Sequence, residues 1–515
     1  MTAAGASPVA VGRVRWFHLI ILITLLLIGG VMRGHQIARE SLTLDEYWTL
    51  YLATGRGNQL FDIPYGVVVD SPPPVGFAGA PAWWHIWTGI SSTTHPPLYH
   101  VALRWWVDLF GDGDGPIRAM SSLFCLAGAI VLFDLMRRIA GPWHGLFAAG
   151  MILFSPAQID YSQLARPYTM LVFFGAILCD AIIAIDRDGL SRWKLVVLGA
   201  AAMAMALTHY FSLGAILASL IYAAVRFRGR SRKAAITAIL SGLLLAAILW
   251  GPVLLSTWRQ YGAYENYTKG LTGGIPQLAL LILIIPLKLF LDPSHQWPWI
   301  AIVPLALLIY AAPLFRLRRS PEMLLWWLWI VCTIGMVAAL DIARDSTLVA
   351  VVRYIFLSSP AIYAILATPL PGRLGAVVPA LMFLCAIPYG LSRVQTGPEQ
   401  STDWRLLSRE LHEMIGPHDA VVLSGYYDVE PANHYFVIAH YTGQWRSPVI
   451  FLSDPITRSA MADLVRHERV WMVGHFSQGE TNQYLPGWRV GVQRAVGTSN
   501  AFWQVLPPDS SRPLK

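Results

Sequence analysis

The chemistry-bearing residues of this 515-residue chain fall in short motifs set between apolar runs. In chain order they are Leu44-Asp45-Glu46, His95 before Pro96-Pro97-Leu98-Tyr99, Tyr161-Ser162-Gln163 with Arg166-Pro167-Tyr168, Thr208-His209-Tyr210, and Arg353-Tyr354. Acids beside cations suit a reaction in which a phosphate leaves and a hydroxyl attacks. A carboxylate removes the hydroxyl proton, while Arg, Lys and His stabilise the charge that develops on the phosphate oxygens. Asp45 is the candidate base, with Glu46 beside it. His95, Arg166, His209 and Arg353 are the candidate phosphate clamp, because a guanidinium fork matches phosphate geometry. Tyr99, Asp112, Tyr161, Gln163 and Lys288 are candidate supporting residues.

Each of these groups has an ordinary alternative. Asp45 and Glu46 suit the first turn of a helix, where acids are favoured. His95 before two prolines suits a turn, and Arg166 and Arg353 suit snorkelling to lipid headgroups. His209 suits a satisfied polar residue between two helices. Asp112 and Asp114 stand among glycines, as in a solvated turn. Asn266-Tyr267-Thr268 fits a glycosylation acceptor, a motif short enough to arise by chance.

What carries these residues is a membrane protein. Hydrophobic residues make up 55% of the chain and charged residues 13%, against about 25% charged in soluble domains. Apolar runs long enough to cross a hydrocarbon core of about 30 Å recur over the first 390 positions. The pattern predicts about eleven helical spans near 16–32, 117–135, 143–158, 168–186, 195–208, 211–225, 235–255, 298–314, 324–340, 350–368 and 374–391. Segments 97–110 and 276–291 are read as interfacial or re-entrant helices. With Arg13 and Arg15 inside, the basic runs at Arg137-Arg138, Arg226 to Lys233, Arg316 to Arg319 and Arg373 all come out cytoplasmic.

That orientation puts the motifs on the opposite side. The first outer loop spans 33–116, and the fourth spans 256–297 with Glu265, Lys288 and His295. Helical and strand patterns return in the tail: Asp403–Met414 and Met461–Arg466 read as helix, Ala420–Ser424 and Val470–Val473 as strand. The domains expected are therefore a transmembrane domain over 1–392 and a small extracytoplasmic α/β domain over 393–515. The net charge of +8 sits in short loops and sets orientation, so no nucleic-acid partner is implied. Four cysteines lie inside apolar runs and form no metal-type spacing.

The order of the motifs resembles the GT-C class of polyprenyl-phosphate-sugar-dependent glycosyltransferases, in particular the group similar to protein O-mannosyltransferases and the lipid A aminoarabinose transferase. In the tail, Asp403-Trp404-Arg405 and Gly416-Pro417-His418-Asp419-Ala420 look like the extracytoplasmic domain of many bacterial members. The resemblance implies a plasma-membrane enzyme, and the charge pattern a cytoplasmic N-terminus. Such an enzyme moves a sugar, with inversion, from a polyprenyl-phosphate carrier to a glycan, lipid or protein acceptor outside the cytoplasm. The family's loop acid falls on Asp45. His95 stands where the aminoarabinose transferases carry a basic residue implicated in phosphate binding. Some relatives bind a divalent metal near this loop; Asp45, His95, His209 and Asp112 offer donors of the right kind, and metal use is left open. The rival class is a lipid or solute transporter or flippase, which favours ionisable groups in broken helices at mid-membrane rather than in loops. A glycan-binding accessory protein ranks third.

Overall fold

The computed structural model describes residues 13–35, 37–57, 63–89, 95–258, 274–290, 299–317, 320–369, 375, 377–396, 403–424, 431–443, 445, 447–452, 456–474, 485–496 and 500–507. Glu265, the Asn266-Tyr267-Thr268 triplet and His295 lie outside them. The chain forms two compact units, one of 1–37, 91–111 and 115–398, the other of 38–90, 112–114 and 399–515. This division differs from the expected boundary at 392, because part of the first loop groups with the tail.

The first unit is helical. Among the described residues, six helices are long and apolar enough to cross a membrane: Trp16–Gly34, Asp114–Ala140, Tyr168–Asp188, Gly229–Val253, Met323–Arg344 and Val377–Gln395. The other expected spans are helical but shorter. Proline explains one of the interruptions. The stretch 143–158 is divided into Pro142–Phe154 and Pro156–Ser162. The residue before a proline is driven out of the α region, and Ser155 is extended at ψ 127°. The stretch 350–368 becomes Val352–Ile355, a 3-10 turn over Phe356–Ser358, and Ser359–Ala367 with Pro360 in its first turn. The two segments read as interfacial are the helices Leu98–Phe110 and Gly274–Phe290, of 13 and 17 residues.

Small residues bring the helices together, as in membrane bundles where lipid supplies no hydrophobic drive. A Cβ on Gly214 would lie 2.6 Å from the Cys332 carbonyl oxygen, and one on Gly242 only 2.1 Å from that of Gly199. Arg33, 1% exposed, donates to the carbonyls of Leu153 at 3.0 Å and Ile152 at 3.4 Å. These belong to the last turn of Pro142–Phe154, whose carbonyls have no intrahelical partner. A buried cation is thereby matched to the negative end of a helix dipole.

The second unit is built on a six-stranded sheet. Its strands are β1 (Val68–Val69), β2 (Ala420–Ser424), β3 (Val449–Leu452), β4 (Val470–Gly474), β5 (Arg489–Val496) and β6 (Asn500–Leu506), in the order β1-β3-β2-β4-β6-β5. β2 runs parallel to β3 and β4; the other pairs are antiparallel. Parallel neighbours require crossovers, supplied by helices Pro431–Thr442 and Arg458–Leu464. Ala420, Val421, Val422 and Leu423 are all buried, as expected for an inner strand covered on both faces. β1 comes from the first loop, and Val68 pairs with Ile450.

Candidate active site

In the first unit, four loops deliver four side chains to one place. His95 precedes Pro97, the N-cap of Leu98–Phe110, and Tyr99 on that helix is fully buried with its hydroxyl 2.9 Å from Ser121 Oγ. Ser121 Oγ donates to the Arg166 carbonyl at 3.2 Å, and Thr169 Oγ1 donates to the Ser121 carbonyl at 2.8 Å. Tyr99 therefore acts as a strut between the segment bearing His95 and the one bearing Arg166. Arg166 is 6% exposed; its guanidinium carbon lies 5.7 Å from the Tyr168 ring centre, and it donates to the Tyr168 hydroxyl at 3.4 Å. Tyr161 packs its ring on Tyr168 at 5.2 Å and on Phe356 at 4.7 Å.

His209 follows the helix Arg192–Thr208 as its C-cap. Its Nδ1 accepts from the Phe211 backbone N–H at 3.2 Å, which leaves the proton of the neutral ring on Nε2. The imidazole stacks on Phe211 at 5.1 Å and lies 5.6 Å from the His95 ring and 6.2 Å from Tyr168. Arg353 sits on the short helix Val352–Ile355, with its guanidinium over the Tyr354 ring at 5.2 Å, and Tyr354 packs edge-on against Phe211 at 5.2 Å. Asp341 sets this segment in place. Its carboxylate accepts from Ser346 Oγ at 2.7 Å and from the backbone N–H groups of Leu348 at 2.6 Å and Val349 at 2.9 Å. Lys288 donates to the Ala350 carbonyl at 3.3 Å, supporting the same segment from another helix.

The electrostatics follow from burial beside two permanent cations. Burial first, and then Arg166 and Arg353, hold His209 down at about 3. The same burial, with Arg166, His209, His100 and Arg353 nearby, holds His95 well below the usual imidazole range. Both rings are therefore neutral at pH 7, and the site's positive charge resides on the two guanidiniums. His95 Nδ1 and His209 Nε2 are buried without a hydrogen-bond partner among the described residues. Such groups are costly to bury unless something pairs with them.

The remaining expected residues make contacts of their own. Gln163 donates to the backbone carbonyls of Arg33 at 3.0 Å and His35 at 3.4 Å, which ties its loop to the end of the first helix. Asp45, Glu46 and Asp112 belong to the second unit. Thr43 is the N-cap of the helix Leu44–Thr54 and forms a capping box with Glu46. The Glu46 carboxylate, fully buried, accepts from the Thr43 backbone N–H at 2.8 Å and its hydroxyl at 3.1 Å. Glu46 is thus engaged in capping, as its ordinary alternative had it, while Asp45 one position earlier is half-buried. Behind this helix, Tyr47 packs on Phe436, His440 and Tyr441 at 5.8, 5.3 and 5.9 Å. Asp114 accepts from Tyr441 at 2.9 Å and pairs with Arg405. Asp112 is exposed.

Among the described residues no group of three His, Cys, Asp or Glu is placed to hold a metal ion. His95 and His209 contribute two nitrogen donors. The motif analysis missed Ser121, Phe211 and Ser212. Ser212 is fully buried, with its Oγ unpartnered among the described residues, one residue after Phe211. A serine at the mouth of an apolar helix has no spacing that marks it out.

The fold is that of the GT-C glycosyltransferases. Residues 94–256 match the family described as dolichyl-phosphate-mannose-protein mannosyltransferase. The chain is similar in structure to ArnT from Cupriavidus metallidurans in the apo state. The TM-score is 0.58 at 14% identity, over 94% of this chain and 97% of that one. The same protein bound to undecaprenyl phosphate gives 0.55 at 12% identity, with 94% and 97% covered. The Archaeoglobus fulgidus oligosaccharyltransferase in complex with Zn and sulfate gives 0.50 at 14% identity, over 93% of this chain and 72% of that one. No curated protein matches the chain by sequence. The family match and the fold together indicate a membrane-embedded glycosyltransferase.

Proposed function

We propose that the protein transfers a sugar from a polyprenyl-phosphate carrier to an acceptor hydroxyl on the extracytoplasmic face, by a single inverting displacement. The observation that carries this is the convergence of His95, Arg166, His209 and Arg353, from four separate segments, on one cluster that joins two imidazoles to two guanidiniums. The acceptor oxygen attacks the anomeric carbon as its bond to the carrier phosphate breaks. Asp45 takes the hydroxyl proton, and the carrier phosphate departs with the bonding pair. Arg166 and Arg353 meet the charge on that phosphate, while neutral His209 donates from Nε2. A likeness to a structure holding undecaprenyl phosphate supports a carrier of this type, and the distribution of basic loops supports the orientation. The sugar and the acceptor are classes to be found by experiment.

The test compares glycolipids, cell-wall glycans and glycoproteins by mass spectrometry in cells with and without the protein, and in cells carrying Asp45→Asn. A glycan lost in the first case should stay lost in the second, with turnover down by roughly 10²–10⁴-fold if a general base has been removed. Full glycosylation with Asp45→Asn would exclude this residue as the base. No glycan change in the knockout under conditions of expression would count against the transfer itself.

A further inference from the structure

A groove lies in the first unit, between the helices Arg192–Thr208 and Gly229–Trp258. They meet at Gly199 and Gly242, and beside that crossing the open groove, of about 1020 Å³, runs along both helices. It is lined mainly by apolar side chains, among them Ala200, Met203 and Leu245, and the described residues lining it include no acid. At one end stand Arg230 and Lys233, both exposed and neither ion-paired among the described residues. The groove therefore has an apolar length and a single cationic end.

The dimensions select an occupant. From Lys233 to Leu245 a helix rises about 18 Å at ~1.5 Å per residue, slightly more than half a hydrocarbon core of about 30 Å. An acyl chain from one leaflet fits that length, and its headgroup then reaches the two cations. Arg and Lys at a membrane surface favour anionic headgroups. We propose that this groove binds one anionic phospholipid, with an acyl chain against Ala200, Met203 and Leu245 and the phosphodiester at Arg230 and Lys233.

Native mass spectrometry of the full-length, detergent-purified protein tests this, with dioleoyl phosphatidylglycerol and dioleoyl phosphatidylcholine as probes. Phosphatidylglycerol should bind about tenfold or more tightly than phosphatidylcholine, the preference two surface cations support. The double variant Arg230→Gln/Lys233→Gln should bring the two affinities within about twofold of each other. Ala200→Trp, which fills the groove, should weaken both lipids; Ser241→Trp serves the same purpose if the first variant fails to fold. Equal affinities in the parent, or an unchanged preference in the double variant, would overturn the proposal. Displacement of phosphatidylglycerol by undecaprenyl phosphate at lower concentration would overturn it as well, by assigning the groove to a polyprenyl carrier.

Discussion

Burial first, and then the two guanidiniums beside them, keep His209 and His95 neutral. A neutral imidazole can donate from Nε2 without adding a third and fourth charge to a buried site, where unpaired charge is costly. The arrangement has a signature in stability. The folded value of His209 is about 3 against an unfolded value of 6.5, so between those values the unfolded chain binds the proton and the folded chain does not. Its contribution is complete above pH 6.5 and is lost as pH falls toward 3, at up to about 1.4 kcal/mol per pH unit. Melting temperatures of the detergent-solubilised protein between pH 7 and pH 4 should fall more steeply for the parent than for His209→Gln; parallel curves would show that this ring remains neutral for no such reason. At this scale the residue types were legible. Arg, His and Asp in short polar motifs between apolar runs stand out, and the acid pair opening a helix announced the cap that Glu46 makes. Ser121 and Ser212 were not legible, because a buried hydroxyl acquires its meaning from neighbours that lie far away in sequence.

Elements aim these side chains. Arg353 rides on four helical residues, too short a helix to position anything unaided, and its place depends on the three hydrogen bonds accepted by Asp341. Replacing Asp341 by Ala leaves buried backbone donors unsatisfied, at roughly 1–3 kcal/mol for such a group. The expected result is a lower melting temperature together with a raised KM for the donor. A fall in melting temperature with the donor KM unchanged would mean that Asp341 supports the fold without aiming Arg353. Helix positions were legible from hydrophobic runs, but their interruptions were less so. Pro156 and Pro360 are plain in the sequence, yet an apolar run across a proline reads the same whether the helix continues through it, as at Pro252, or stops, as at Ser155. Which occurs is decided by packing that restores the lost backbone bonds. In the tail, the stretches read as helix and strand lie on Trp404–Met414, Arg458–Leu464, β2 and β4, while β1, with only two residues, carries no pattern of its own.

For the whole molecule, the segment bearing Asp45 belongs to the same compact unit as the tail. Removing residues 399–515 should therefore leave 38–90 without β3 and without the Tyr441 and Phe436 contacts behind the Leu44–Thr54 helix. Limited proteolysis of such a truncation should cut within 38–90 while the helical unit resists, and transferase activity should be absent. Protection of 38–90 in the truncated protein would show that the loop folds by itself. Hydrophobic periodicity could not reveal this partnership, since no local pattern links Val69 to a strand hundreds of positions later.

The pairing of Val69 with Val449 also fixes an order of events. At about 5–20 residues per second, the 380 positions between them take roughly 20–75 s to emerge. Throughout that interval the helical unit can already be inserting in lipid, while the segment bearing Asp45 has no sheet to rest on. A chain interrupted before residue 449 therefore lacks β3, the strand on which Val69 rests.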